Sequence, residues 1–384
     1  MKKRLLAVLL LIIALVLGMV SCGKVSTSNC DLGCDCDCGC DCSKTNGNKD
    51  NSADDFEFDS YKFDDDMYTN GNSGFYPSGL KPNGKPQASK RLIMGTGGSG
   101  GTYYAFGGVL SKYIEDETGI KCTAVESEGS AANIKGIATG DYQLGTVQSD
   151  VMDYAFNGTK TFKESGKIDS FRTIGALYDE TIQLVTTDPD IKTVADLKGK
   201  AVSIGAPNSG VYFNAMDVLT AAGLTLEDID EVTQDFNSSA ESLTDGKIKA
   251  AFIVAGAPTT AITELATKNA ATHLIPIDGE VAKKAMESCS FYTATVIPKG
   301  TYNGQEEDVT TLSVKATLIV SADIDEDTVY NITKTIFDNT DAIAKLHDKG
   351  KALDTKYATE GITVPFHAGA AKYFKEKGIE VKTK

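Results

Sequence analysis

The sequence predicts an α/β protein of two lobes, with mixed, mostly parallel sheets joined by two crossing strands. Three observations carry this. From Arg91 onward, short apolar strands alternate with amphipathic helices at βαβ spacing, which calls for a largely parallel sheet with helices on both faces. The same order of elements recurs in the second half. Two longer strand-like segments, FRTIGALYDETIQLVTT and the later TLSVKATLIVSAD, are long enough to pass from one lobe to the other. Such a chain encloses a cleft, and in open α/β sheets ligands sit beyond the carboxyl ends of the strands.

Residues 1–22 place Lys2, Lys3 and Arg4 before an apolar run from Leu5 to Leu17, the layout of an export signal. The run is short for a membrane span and no stop-transfer charges follow it. Met19, Val20, Ser21 and Cys22 resemble a bacterial lipobox, with Cys22 as the lipid attachment site; a soluble secreted form is the alternative. The expected location is extracytoplasmic, on a bacterial membrane. Removing the signal takes the formal charge from -15 to -18. That balance excludes electrostatic binding to nucleic acid and to anionic lipid, so only a covalent lipid would hold the chain at a membrane.

Residues 23–90 carry twelve acids, seven lysines and little apolar periodicity, which predicts a disordered tether. As a flexible coil its root-mean-square reach is roughly 45–50 Å. Within it Cys30, Cys34, Cys36, Cys38, Cys40 and Cys42 alternate with Asp and Gly. This spacing does not fit a zinc knuckle; it leaves a low-complexity spacer or a soft-metal ligand strip as readings.

The folded part begins with RLIMG, the loop Gly97, Gly98, Ser99, Gly100, Gly101, and a helix starting TYYAFGG. Glycines let the backbone approach a ligand, and the free N–H groups of the following helix favour an anion. Gly95, Gly97 and Gly100 also spell G-x-G-x-x-G, with Glu126 ending the next strand, so the loop alone reads equally as a dinucleotide site, a small-anion site or a tight turn. Strand KCTAVES, helix AANIKGIATG, strand YQLGTVQ and helix VMDYAFNG follow, the last capped by Ser149 and Asp150. After the first crossing come helix TVADLKG, strand AVSIGAP, the loop Asn208, Ser209, Gly210 and helix VYFNAMDVLTAAG. Strand EVTQDF, helix SAESLTDGK, strand AAFIVAG, helix TTAITELATK and strand THLIPI complete the second lobe. The chain returns through FYTATVIPKGTY and the second crossing to the helical segments DTVYNITKTIFDNTDAIAKLHDKG and TVPFHAGAAKYFKEKG. The resulting division is 91–178 with 297–384 for lobe 1 and the C-terminal helices, and 179–296 for lobe 2.

GTGGSGGTYYAFGGVLSKYI, GTVQSDV, VADLKGKAVSIGAPNSG, DGKIKAAFIVAGAPTTAITELA, PKGTYNGQEEDVTTLSVKATLIV and VPFHAGAAKY, in that order, resemble the TAXI subfamily of solute receptors for TRAP (tripartite ATP-independent periplasmic) transporters. The resemblance runs from about Arg91 to the C-terminus. It implies a two-lobed, type II periplasmic-binding-protein-like fold that closes on a small solute and delivers it to a membrane permease driven by an ion gradient. It further implies an acidic amino acid or dicarboxylate such as glutamate or 2-oxoglutarate as solute. No catalysis, cofactor or metal is implied. A receptor serving a sensor partner is the alternative with the same ligand closure.

The residues add a constraint on how a carboxylate would be held. Beyond the signal the only arginines are Arg91 and Arg172, neither in a cleft loop, so a guanidinium clamp is not expected. The candidates are instead the helix starts after Gly101 and Ser209, with Gly98 and Gly210, and the hydroxyls of Ser99, Thr102, Ser149 and Ser209. Gln148 supplies an amide, and Asp150 either receives a ligand ammonium or acts as a helix-start acid. Ala255 ends a strand at the cleft, and Tyr103, Tyr178 and Tyr212 either wall the site or pack in the core. A dinucleotide-dependent oxidoreductase fits poorly with an export signal and with the bulky Tyr103 and Tyr104 at the helix start. No histidine among His273, His347 and His367 lies near a nucleophile in a recognisable elbow, and His367 reads as packing or capping the last helix. Cys122 and Cys289 are expected as buried free thiols.

Overall fold

The computed structural model describes residues 91–384. The export signal, Cys22 and the Cys-rich tether lie outside the described residues.

Lobe 1 starts with β1 (Arg91–Gly95), α1 (Thr102–Thr118), β2 (Lys121–Val125), α2 (Ser130–Thr139), β3 (Leu144–Gln148) and α3 (Ser149–Asn157). In α1 the buried positions Tyr103, Phe106, Leu110 and Ile114 recur every three to four residues, so one stripe meets the sheet. The helix ends at Gly119 in the left-handed region (φ 71), whose N–H closes on the Glu115 carbonyl. α3 begins two residues earlier than expected: Gln148 is its N-cap, while Ser149 and Asp150 are in its first turn.

The chain then crosses on β4 (Phe171–Thr186), sixteen residues buried almost throughout. Lobe 2 contains β5 (Ala201–Ser203), α4 (Val211–Ala221), β6 (Asp230–Val232), α5 (Phe236–Thr244), β7 (Ala250–Ala255), α6 (Thr260–Lys268), β8 (His273–Ile275), α7 (Gly279–Ser288) and β9 (Thr293–Ile297). The expected helix at TVADLKG is only a 3-10 turn, Val194–Leu197, started by a reciprocal Thr193–Asp196 capping box. β10 (Val309–Ser321) makes the second crossing. It leads to α8 (Glu326–Asp338), α9 (Thr340–Leu346), α10 (Thr355–Thr359) and α11 (Ala368–Glu376). The expected long helix breaks at Asn339, whose ψ of 30 leaves the helical range. His367 caps α11, its Nδ1 accepting from Gly369 N at 3.1 Å.

These strands form one sheet in the order β2-β1-β3-β10-β4-β7-β5-β6, with β8 added to β4 and β9 to β10. The outer strands pair in parallel, β1 with β2 and β3, and β5 with β6 and β7. Every pair made by β4 and β10 is antiparallel, so the crossing strands form the antiparallel middle of a mixed sheet. Their mutual register slips between Ala316 and Thr317 and again between Leu318 and Ile319. Bulges at that position bend the strands where one lobe gives way to the other. Each lobe has an apolar cluster on both faces of its sheet. The largest in lobe 1 contains Leu92, Phe106 and Leu318, and the largest in lobe 2 contains Leu184, Val202 and Phe252. Cys122 and Cys289 are buried thiols in these two separate clusters. Among the described residues no helix is long and apolar enough to cross a membrane.

Candidate functional site

A cavity of about 630 Å³ lies between the lobes, at the carboxyl ends of the parallel strands. Lobe 1 contributes the glycine loop and start of α1, the turn 126–130 before α2, and Gln148. Lobe 2 contributes the turn 206–211, the turn 234–238 that opens α5, and Val254 with Ala255 at the end of β7. Glu180 of β4 reaches it from the crossing itself.

The lobes touch each other around this cavity. Ala131 N and Ala132 N, at the start of α2, donate to the Asn208 carbonyl of the opposite lobe at 3.0 and 3.2 Å. Asn208 adopts the left-handed conformation (φ 59), which an Asn tolerates and which turns its carbonyl toward lobe 1. Its side chain donates to Glu128 Oε2 at 2.8 Å and accepts from Lys135 Nζ at 2.7 Å. A second contact joins the glycine loop to lobe 2, where Ala261 N donates to Gly100 O at 3.2 Å and Thr102 Oγ1 to Gly256 O at 2.9 Å. A third is buried. Gln148 Nε2 donates to Asn214 Oδ1 at 2.9 Å, and Asn214 Nδ2 donates to Asp150 Oδ2 at 3.1 Å and Tyr292 Oη at 2.9 Å. Tyr292 Oη donates on to Asp217 Oδ2 at 3.1 Å.

Of the residues expected at the site, Gly98, Ser99, Gly101, Thr102, Tyr103, Gln148, Ser209, Gly210 and Ala255 line the cavity. Ser149, Asp150, Tyr178 and Tyr212 do not. Ser149 Oγ accepts from Lys315 N at 3.3 Å on β10, tying α3 to the crossing strand. Asp150 is sealed in the Asn214 cluster, where burial pushes its carboxyl up to about 7 against the opposing pull of backbone N–H groups and Asn214. Tyr178 lies beneath the cavity, edge-on to Phe106 with ring centres 5.6 Å apart. Tyr212 lines a different hollow on the far side of α4, with Lys160, Met216 and Lys284.

The two expected anion grips also differ. Gly101 N turns back to Gly98 O at 2.9 Å, while the start of α1 still faces the cavity. In the second lobe Ser209 N bonds Ala206 O at 3.1 Å, and the neighbouring Asn208 carbonyl is spent on α2. The loop 208–210 therefore joins the lobes through Asn208 and also lines the cavity through Ser209 and Gly210.

Sequence reasoning missed Glu180. Along β4, side chains alternate between faces, so Asp179 points outward and accepts from Tyr357 Oη at 2.6 Å while Glu180 points into the cleft. Glu180 is 2% exposed. The Tyr178 hydroxyl lies beside its carboxylate, near enough to favour the charged form but without hydrogen-bond geometry, and Oε1 has no partner. Burial pushes the carboxyl up to about 8, partly offset by Tyr178, by Lys349 and by the Gly256 N–H. A pair of acids, Asp179 and Glu180, at the centre of a strand long enough to cross between the lobes was the available signal. Gln234 and Asp235 were also missed; Asp235 caps α5 by accepting from Ser238 N at 2.9 Å.

The family model described as NMT1-like family matches residues 94–378. The chain belongs to the NMT1-like family. Among solved structures, this NMT1-like protein is similar to the alkanesulfonate-binding protein SsuA from Xanthomonas axonopodis pv. citri bound to MOPS, at 16% identity over 76% of this chain and 92% of that one (TM-score 0.43). It is similar to PhnD1 from Prochlorococcus marinus in complex with methylphosphonate, at 12% identity over 69% and 91% (TM-score 0.47). A putative L-cystine ABC transporter protein from Listeria monocytogenes matches at 15% identity over 71% and 99% (TM-score 0.43).

Within this NMT1-like protein the cavity chemistry is one-sided. Glu126, Glu128, Glu180, Asp235 and Glu241 line it, and no Lys or Arg among the described residues does. A pyrophosphate placed on the glycine loop would meet these carboxylates without a counter-charge, which disfavours the dinucleotide reading of G-x-G-x-x-G. Among the described residues no group of His, Cys, Asp and Glu is arranged to hold a metal ion.

Proposed function

We propose that the chain is an extracytoplasmic solute-binding receptor that closes two lobes around a small polar solute and hands it to a TRAP-type membrane permease, performing no chemistry itself. The observation that carries this reading is the 630 Å³ cavity between lobes that share two continuous strands and meet through hydrogen bonds between helix starts and loops. Such a joint opens by bending at the β4–β10 bulges and closes by remaking contacts such as Ala131 N to Asn208 O. TRAP-type delivery rests on the resemblance of the six ordered motifs to TAXI receptors, and membrane attachment on a lipid at Cys22. The same resemblance makes acidic amino acids and dicarboxylates such as glutamate and 2-oxoglutarate the first solutes to try.

The test is a thermal-shift screen of the full chain against amino acids, amines, dicarboxylates and phosphonates. A solute at a hundredfold excess over its dissociation constant adds about 2.7 kcal/mol of stability. Small-angle scattering then reads a smaller radius of gyration with the solute bound. A screen with no saturable shift defeats the receptor reading. Uptake into proteoliposomes that requires both this chain and a TRAP permease under an ion gradient establishes the delivery step; uptake without a TRAP permease removes it.

A further inference from the structure

On the receptor reading, the atoms facing the cavity state what the solute must carry. Four of its five acids, Glu126, Glu128, Asp235 and Glu241, are exposed at the mouth, where water and salt screen them. Glu180 is different in kind, because it is 98% buried, lines the cavity and has an oxygen without a hydrogen-bond partner. Gln148 repeats the pattern: it is 2% exposed, its Nε2 is held by Asn214, and its Oε1 is unpartnered. Buried polar atoms in native proteins are almost always paired, so these two free acceptors point to a donor supplied by the solute, while the unpartnered Tyr103 Oη, Ser209 Oγ and Gln234 Nε2 on the same wall leave room for one acceptor group such as the α-carboxylate of an amino acid.

The surroundings of Glu180 leave that need unmet. From its own strand it faces Tyr178 and Asp179; from other elements come Tyr103, Tyr357, the Gly256 N–H and Lys349. Lys349 is the one cation among them. Its Nζ donates to Ala257 O at 2.7 Å, lies 5.5 Å from the centre of the Tyr178 ring, and is not part of the cavity wall.

We propose that the solute carries a protonated amine seated against Glu180 and Gln148, and that its net charge is zero or positive, as in a neutral or basic amino acid or an alkylamine. This places the dicarboxylates implied by the sequence resemblance outside the specificity of the cleft. The deciding physics is Coulombic: an ammonium draws Glu180 into its ionised form and meets it with little competing water, whereas a second carboxylate finds no cation among the described residues of the wall.

A proton count follows from the same geometry. Burial holds the Glu180 carboxyl up to about 8, so at pH 6 it is mostly protonated in the free protein. An ammonium stabilises the ionised form, so its binding below pH 8 releases a proton and tightens by up to about tenfold per pH unit until it levels off near pH 8. An anion that accepts the proton of neutral Glu180 gives the reverse: proton uptake, and affinity that falls above pH 8.

The experiment is isothermal titration calorimetry on the full chain with L-lysine, L-glutamine, 1,4-diaminobutane, L-glutamate and 2-oxoglutarate. It is run at pH 6 and pH 8 in buffers of different ionisation enthalpy. At least one of the first three is expected to bind more tightly than either anion, with proton release at pH 6 and at least tenfold tighter binding at pH 8. Glu180→Gln is expected to weaken that amine tenfold or more and to abolish the proton release, while Glu126→Gln at the mouth changes affinity less than threefold. Proton release is read on the unmodified chain, so a Glu180 variant that fails to fold leaves the test standing. If L-glutamate or 2-oxoglutarate binds as tightly as every amine, or amine binding takes up protons, this inference falls and the receptor reading stands. If no probe binds, this inference falls, and the receptor reading is decided by the wider thermal-shift screen.

Discussion

Asp150 and Glu180 are both carboxylic acids buried between the lobes, and burial pushes both up from the usual carboxylate range, to about 7 and about 8. Their settings differ. Asp150, in the first turn of α3, is met by Asn214 of the opposite lobe and takes part in a sealed chain that runs from Gln148 through Asn214 to Tyr292 and Asp217. Glu180, in the middle of a crossing strand, turns toward open volume with no hydrogen-bond partner on Oε1. Depth and a raised pKa are common to the two, so neither marks a ligand site. The distinction is whether the free acceptor faces protein or cavity, and it assigns Asp150 to holding the lobes together and Glu180 to the solute.

The largest effect is expected where the sealed cluster is broken. Asn214→Leu removes three hydrogen bonds at a fully buried position and leaves Gln148 and Asp150 without their cross-lobe partner. We expect a loss of about 3–5 kcal/mol in urea unfolding. A loss below about 1 kcal/mol would mean that the cluster does not hold the lobes, and the contrast with Glu180 would collapse.

The next test uses pH. Both carboxyls have folded values above the ordinary ones of 3.8 and 4.5, so between those values and about 7 or 8 the native state binds more protons than the unfolded state. Their contribution to stability is therefore fully present below the unfolded values and is lost as pH rises through the folded ones. Asp150→Asn and Glu180→Gln should each be more stable than the parent at pH 8, by about 2–4 kcal/mol, with the gap closing by pH 4. A saturating amine should shrink the Glu180 gap and leave the Asp150 gap unchanged. Denaturation curves at the two pH values, with and without 1,4-diaminobutane, check the sign and the contrast; equal responses to the amine would erase it.

A smaller perturbation acts on the same joint. A Cβ at Gly210 would overlap Gln148 Oε1, and Gln148 is held from its other side by Asn214. Gly210→Ala is expected to cost about 1–3 kcal/mol of strain wherever the lobes meet. Solute affinity should fall about tenfold or more, and the solute-free chain should lose less stability than with Asn214→Leu. An unchanged affinity would show that closure does not bring Gly210 against Gln148.

Much of the frame was legible in advance because it is written in local spacing. Apolar positions every three to four residues gave α1, β-branched runs gave β3, β4 and β7, and the small-residue turns at Gly97–Thr102 and Ser209–Gly210 fell at helix starts. His367 as a cap of α11 was also readable, since a polar residue before an amphipathic run has few other roles. Local patterns failed where the partner is distant. Asp150 read as either a ligand acid or a helix-start acid; it stands in the first turn of α3, and the residue that seals it, Asn214, is 64 positions away. Tyr212 looked like a wall because its helix opens at a cleft loop, yet the helical turn carries it to the far side.

By itself, then, the sequence determined the alternation of strands and helices, the division into lobes joined by two crossings, and the glycine turn at the first helix start. Each of these depends on interactions within a few residues. The tertiary structure alone decided that Asn208 caps a helix of the other lobe, that Asp150 is sealed while Glu180 is open, and that the cavity wall carries acids without a cation among the described residues. Those facts come from strand register and from the meeting of segments 50 or more residues apart, and no local pattern of residues encodes which side chains closure brings face to face.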